Sequence, residues 1–374
     1  MKTVLIVTTV STTVSAFLMP SIDLLISKGY RVEIATNIQN EYFVKTLEGN
    51  KVVVHHIPFN RSIKSLENIK AYLKMKKLFK KKEYSFVHTH TPIASFLTRL
   101  ASRYRVIYTA HGFHFNENGS KISNFAYKMV EKIGAKKTNR LIVINKDDYE
   151  ASKHIISPEK VRFIKGVGVD TKEYNLEVID RITQIELKKE LGISGDKKII
   201  THIAEFNDNK RQIDIIYAAK KLRKVYGDNF VILLIGRGPK GNYICNKISE
   251  LKLGHNVQYL GYRKDINKIL SITDVGLLVS LREGLPRSVM EMMTMKVPVV
   301  VTNIRGNRDL IQDGYNGFVV DVRAPDQIAN KCYEILTNKE LAKKFGDNSY
   351  KRIVEEYSLQ RILEELGEVY KELE

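Results

Sequence analysis

Val275-Gly-Leu-Leu-Val279 and Val297-Pro-Val-Val-Val-Thr302 bracket the segment Glu283-Gly-Leu-Pro-Arg-Ser-Val-Met-Glu291. Both outer runs are apolar on both faces, as strands of a parallel sheet covered by helices are. Between them Pro286 suits a first helical turn, and Ser288 to Met295 reads as a helix. Strand, loop, helix and strand make one βαβ unit. Glu283 then lies on the loop at the carboxyl edge of the sheet, where open α/β folds bind ligands, and Glu291 lies in the helix that follows.

The same alternation extends in both directions. Upstream, strands are predicted at Thr3 to Thr9, Arg31 to Asn37, Val52 to Ile57, Phe86 to His90, Val106 to Ala110 and Leu141 to Ile144. The second half repeats it with Lys198 to Ala204, Phe230 to Ile235, Val257 to Leu260 and Phe318 to Val320 around the central unit. The 374 residues fit two domains of ordinary size. Gly166-Val-Gly-Val-Asp170 and the polar stretch from Thr171 to about Glu190 break the alternation and read as a flexible linker. The expected organisation is a first α/β domain over 1–170, a second over 171–358, and a C-terminal helix over 359–374 that can pack back on the first domain.

Composition narrows the function. Hydrophobic residues make up 43%, with 22 Gly and 8 Pro, so the chain is globular and neither collagenous nor low in complexity. Cys245 and Cys332 are far apart in sequence, which excludes a disulfide scaffold and a cysteine zinc site and suits a reducing cytoplasm. No run of about 20 apolar residues exists to span a bilayer. The start resembles a weak signal peptide, but its short β-branched run and the helix pattern after it read as a first strand and helix. Net charge is +19, and residues 1–170 carry 28 basic against 13 acidic side chains. The first half therefore faces something anionic: nucleic acid, an acidic bilayer or a phosphorylated ligand.

Two carboxylates flanking a helix start suit a ligand with hydroxyls on both sides of a phosphate. Unpaired N–H groups at the helix start hold the phosphate while Glu283 and Glu291 accept from hydroxyls. Gly236-Arg-Gly-Pro239 after one strand and Gly261-Tyr-Arg263 after the next are turns that admit a ligand close to backbone, and Arg263 can stack on a base. His88, His90 and His111 stand at strand carboxyl ends. His88-x-His90 has no third ligand at recognisable spacing, so no metal is expected.

The sequence resembles the retaining glycosyltransferases of family 4, which have the GT-B fold of two doubly wound Rossmann-like domains. EGLPRSVMEMM (283–293), VPVVVTNIRGNRDLI (297–311) and DGYNGFVV (313–320) carry the likeness. THTPIASFLTRL (89–100), VIYTAHGFHF (106–115) and LIVINKDDYE (141–150) narrow it to bacterial exopolysaccharide and capsule transferases. The resemblance implies a nucleotide-sugar donor held mainly by the second domain, an acceptor held by the first, and reaction in the cleft between them. It assigns Glu283 to the donor sugar, Glu291 to the ribose, and the Gly284-Leu285-Pro286-Arg287 turn, Gly236 and Arg263 to the nucleotide. His111, in the Ala-His-Gly motif, approaches the sugar, and His90 is a second candidate, on the acceptor side.

Two departures from the family pattern stand out. The family shows an Arg followed five positions later by a Lys; here Lys210 keeps the Lys, but Glu205 replaces the Arg and reverses its charge. Arg211 or Arg287 is the expected substitute on the diphosphate. Near the start, Val10-Ser-Thr-Thr-Val-Ser15 replaces a double-glycine loop, which makes acceptor contact the expected role of Ser15.

Residues 61–82 pack eight lysines around Ile63, Leu66, Ile69, Leu73 and Leu78, a pattern suited to an anionic bilayer surface as well as to a solvated helix. Nucleic acid is not expected, for lack of a recognition module or an aromatic stacking series. The reading is a metal-independent hexosyl- or N-acetylhexosaminyltransferase, with a UDP-sugar as donor substrate and no cofactor. It moves the sugar to a polyprenyl-diphosphate-linked saccharide at the inner face of the cell membrane. The rivals are a sugar-nucleotide 2-epimerase of the same fold and a non-enzymatic anion- or membrane-binding protein.

Overall fold

The computed structural model describes residues 2–39, 44, 45, 47, 52–115 and 119–373. Met1 and Glu374, at the ends of the segments read from the sequence, lie outside them. The chain forms two compact units, one comprising residues up to Val167 with those from Gln360 onward, the other Gly168–Leu359.

The first unit holds β1 (Thr3–Val10), β2 (Arg31–Asn37), β3 (Val53–His56), β4 (Phe86–His90), β5 (Arg105–Ala110), β6 (Arg140–Val143) and β7 (Val161–Phe163), in the spatial order 3-2-1-4-5-6-7. All pairs are parallel. β7 is short and carries Arg162 at its centre, so no continuous apolar run marks it in the sequence. The connections β3 to β4, β4 to β5 and β5 to β6 all move the same way across the sheet. Right-handed crossovers therefore place helices Glu67–Lys81, Pro92–Ala101 and Lys121–Ala135 side by side on one face. β1 to β2 moves the opposite way, which puts helix Met19–Ser27 on the other face. There Leu18, Ile22 and Leu25 pack with Ile362, Val369 and Tyr370 of the C-terminal helix Leu359–Lys371. Arg105 Nη1 donates to Leu373 O at 3.0 Å, and Arg140 and Arg162 pair with Glu372, clamping the end of that helix to the sheet.

Residues Ser11 to Ser15, expected to be a loop, are already helical. A turn at Ser11–Thr13 runs through a π-turn at Val14–Leu18 into helix Met19–Ser27. Without glycine, nothing favours an open turn after β1, and buried Val14 and Leu18 anchor the helix instead.

In the second unit β8 (Lys198–Ile203), β9 (Phe230–Ile235), β10 (Val257–Gly261), β11 (Val275–Leu278), β12 (Val299–Thr302) and β13 (Phe318–Val320) form a parallel sheet ordered 10-9-8-11-12-13. The expected linker contains a helix, Arg181–Glu190, whose N-cap Asp180 accepts from Thr183 N at 2.7 Å. Its only fully buried residue is Leu187, so its apolar stripe is too thin to read from sequence. In each sheet the strand order reverses once, at β1/β4 and at β8/β11. Those are the switch points where crevices open beyond the carboxyl ends of the strands.

Candidate active site

The loops leaving β8 and β11 meet at the switch point of the second sheet. Lys210, after β8, donates from Nζ to Glu283 Oε1, after β11, at 2.5 Å. Two backbone-directed bonds hold these two loops together, and a third ties the second of them to the loop after β12. Leu281 N donates to Asn209 O at 2.8 Å, Asn209 Nδ2 to Arg282 O at 2.9 Å, and Arg305 Nε to Glu283 O at 3.2 Å. Below them His202 of β8 is fully buried, with Nδ1 3.0 Å from Leu277 O of β11. A carbonyl only accepts, so Nδ1 carries the hydrogen, and Nε2 accepts from Gln212 Nε2 at 3.3 Å. Gln212 Nε2 also donates to Glu205 O at 2.9 Å. Burial lowers the His202 pKa to about 4 and keeps the ring neutral.

Glu291 is buried in helix Arg287–Thr294, one turn from Arg287, whose Nε lies 2.8 Å from Glu291 Oε1. Pro286 stands just before the first helical residue, and no side chain caps the N-terminus. Tyr174 donates its hydroxyl to the Glu291 carboxylate. Burial raises the Glu291 pKa, against the opposing effects of Arg287 and Tyr174. Gly284 is a close-approach point: a Cβ on Gly306, which has φ +76°, would lie 2.3 Å from Gly284 O. Leu285 and Pro286 are buried behind this turn.

The two arginines expected to replace the missing family Arg are both held by carboxylates. Arg211, with φ 53°, binds Asp214 through Nε at 2.9 Å and Nη2 at 2.6 Å, and Arg287 is engaged by Glu291. Glu205 itself is exposed. Gly236, with φ +138°, brings its turn onto the same loop, since an added Cβ would meet Ala204 O at 2.0 Å. Arg263 is fixed by Asp265 at 2.8 and 2.6 Å and by Glu190 at 2.8 Å, which orients its guanidinium plane. His202, Gln212, Arg305 and Tyr174 are the residues that sequence reasoning missed. Arg305 stood within a quoted motif, whereas the other three carry no signal before folding.

The switch point of the first sheet gathers histidines. His90, in β4, is buried, with Nδ1 3.1 Å from His111 Nε2 just beyond β5. The His88 ring packs on that of His90 with centroids 4.1 Å apart. His88 Nδ1 lies 3.0 Å from the Tyr370 hydroxyl, and Nε2 lies 2.8 Å from Thr109 Oγ1. Burial lowers the pKa of His88 to about 3 and of His111 to about 4, and pushes that of His90 well below its usual value. Thr91 follows His90 with φ 67°, a strained conformation for a non-glycine residue, pinned to Thr9 of β1 through a 2.7 Å hydroxyl contact. These histidines, with Thr109 and Ser21, line a cavity of about 40 Å³ whose other walls are largely apolar, including Phe17 and Leu366. His90 Nε2 meets no hydrogen-bond partner among the described residues. Ser15 is exposed and bonds Thr12 O at 3.1 Å. No group of three or more His, Cys, Asp or Glu placed to hold a metal ion occurs among the described residues.

Comparison with known proteins bears on this arrangement. Residues 183–352 match the family model "Glycosyl transferases group 1" and residues 4–145 match "Glycosyl transferase 4-like". A putative glycosyltransferase, EpsD of Bacillus subtilis, is 30% identical over 99% of this chain and 96% of its own. An Escherichia coli enzyme described as a UDP-Gal:alpha-D-GlcNAc-diphosphoundecaprenol alpha-1,3-galactosyltransferase is 28% identical over 83% of this chain and 81% of its own. The crystal structure of Anabaena HepE with UDP and glucose superposes with a TM-score of 0.80 at 19% identity, covering 98% of this chain and 99% of that one. With two parallel α/β sheets and glycosyltransferase domains over both halves, the chain belongs to the GT-B glycosyltransferases of the bacterial exopolysaccharide and capsule type.

Proposed function

We propose that the protein transfers a sugar from a UDP-sugar to a polyprenyl-diphosphate-linked saccharide with retention of anomeric configuration, at the inner face of the cell membrane and without a metal. The observation that carries this reading is the Lys210–Glu283 pair at the switch point, one helix start away from Glu291. Departure of UDP builds negative charge on the diphosphate, and a fixed cation offsets it in the transition state. Lys210 supplies that charge, held in place by Glu283, whose other oxygen accepts from the sugar. Buried Glu291 accepts from the ribose, and Arg263, fixed edge-on by two carboxylates, offers its face to the base. In the first unit, neutral His111 and His90 present nitrogens to hydroxyls without adding charge. Retention without a protein nucleophile calls for attack of the acceptor hydroxyl from the leaving-group face, its proton passing to a diphosphate oxygen. The relatives named for diphosphoundecaprenol-linked acceptors support the acceptor class.

The test is incubation with a panel of UDP-sugars and a polyprenyl-diphosphate-linked saccharide. The expected result is acceptor-dependent release of UDP and, by NMR, a product with the donor's anomeric configuration. An inverted product removes the retaining mechanism, and release of a 2-epimer without any acceptor removes transfer altogether.

A further inference from the structure

Helix Lys121–Ala135 of the first unit is amphipathic the wrong way round for a protein in water. Its inward side carries Glu131, buried and paired with Arg99 at 2.9 Å, and that guanidinium lies 4.2 Å from the Tyr108 ring. Gly134 lets the Arg99 guanidinium pass, since a Cβ there would fall 2.4 Å from its central carbon. Outward, at spacings of three and four, stand Ile122, Phe125, Met129 and Ile133, with exposures of 85, 68, 42 and 45%. Lys121, Lys128, Lys132, Lys136 and Lys137 flank this stripe, and the helix's one acid is the inward Glu131. Beside its C-terminal half opens a groove of about 580 Å³ lined by Lys132, Lys136, Lys153, Lys160 and His154, with no carboxylate in its lining. Of these lysines, Lys153 pairs with Glu150 at 2.7 Å. Two elements over on the same face of the sheet, helix Glu67–Lys81 adds exposed Leu66, Ile69 and Leu73 ahead of Lys76, Lys77 and Lys80.

We infer that helix Lys121–Ala135 docks on an anionic phospholipid surface, with its apolar stripe at the acyl boundary and the lysine groove on a lipid phosphate. Charge selects the occupant. A second copy would set five lysines against five, whereas anionic lipid meets the lysines with phosphates and the stripe with hydrocarbon. A stripe of this kind sits about 5–10 Å into the headgroup region. The inference rests on the membrane-bound acceptor proposed above and assigns the surface that meets the membrane.

The protein has no tryptophan, so Phe125→Trp at this exposed site places a single reporter on the stripe. Its emission is expected to shift to the blue with phosphatidylglycerol-containing vesicles and to be quenched several-fold by brominated acyl chains. Phosphatidylcholine vesicles and inorganic phosphate at matched ionic strength should leave it unchanged. Lys132→Gln, Lys136→Gln and Lys160→Gln together are expected to weaken anionic vesicle binding about tenfold or more, with UDP release from a short-chain, water-soluble acceptor retained. A variant that sediments with anionic vesicles while its emission stays fixed overturns this inference alone and leaves the stripe to a protein partner. An equal shift with neutral vesicles overturns the phosphate groove. A wild-type chain that does not sediment with anionic vesicles overturns the membrane reading itself, whereas loss of UDP release with the soluble acceptor strikes only the transfer reading.

Discussion

Lys210 Nζ and Glu283 Oε1, 73 positions apart in sequence, lie 2.5 Å from each other where the order of the second sheet reverses. Neither loop makes the pair alone, because β8 and β11 must lie side by side, as they do in register from Val275 opposite Ile200. The pair sets a cation and a carboxylate side by side at that crevice.

Lys210→Gln is expected to lower kcat about 10²-fold, the cost of losing one charge contact in the transition state. Glu283→Gln should also lower kcat, by releasing Lys210, and the double variant should lose much less than the product of the two single losses. Steady-state kinetics with saturating UDP-sugar measures this. Multiplying losses would show that the two residues act separately.

Glu291→Gln and Glu283→Gln should separate in calorimetry with UDP, which has a ribose but no sugar. The first is expected to weaken UDP by about 1–1.5 kcal/mol, the difference between a hydrogen bond to a charged acceptor and one to a neutral acceptor. Glu283→Gln should leave UDP affinity near the wild-type value. Equal losses would contradict the assigned roles.

Gly306→Ala should damage the site from outside it. The new Cβ would stand 2.3 Å from Gly284 O at a φ of +76°, so the turn carrying Glu283 has to move. A stability loss of about 1–3 kcal/mol in urea is expected, together with a fall in kcat. Unchanged kinetics would mean that the turn relaxes without moving Glu283.

Stability should depend on pH through the buried histidines. The unfolded chain binds protons at the ordinary histidine value of 6.5, while His88 resists protonation down to about 3 and His111 and His202 down to about 4. The unfolded state therefore holds more protons between those limits. Full stability is present above pH 6.5 and declines as pH falls toward 4, by up to about 1.4 kcal/mol per histidine per unit. Urea melts from pH 7.5 to 4.5 check the slope, which His202→Asn should flatten for the second unit. A slope of opposite sign would mean that the rings are charged in the folded state.

Tyr370→Phe removes the hydroxyl 3.0 Å from His88 Nδ1 and leaves a buried nitrogen unpaired. A loss of about 1–3 kcal/mol is expected from denaturant unfolding. A neutral outcome would show that His88 finds another partner.

The strands were legible in the sequence because parallel strands between two helix layers are apolar on both faces, and that pattern survives in one dimension. Glu283, Glu291 and His111 stood out as candidates because they sit in quoted motifs, and Lys210 because it keeps the Lys of the family spacing. What the sequence determined by itself was thus the alternation, the family motifs and the uneven charge. Helix Arg181–Glu190 and strand β7 were not legible, the one burying a single leucine and the other interrupted by a charge at Arg162. Pairings needed the tertiary structure: Lys210 with Glu283, Arg211 with Asp214, Tyr370 with His88, and Lys82, counted among the outward lysines, with buried Glu33 at 2.7 Å. Each joins residues whose separation is fixed by strand order, helix face or loop path. A side chain's charge is written in the sequence; the carboxylate that claims it, and whether an apolar helix face turns inward or out to the solvent as in Lys121–Ala135, follow only from packing against its neighbours.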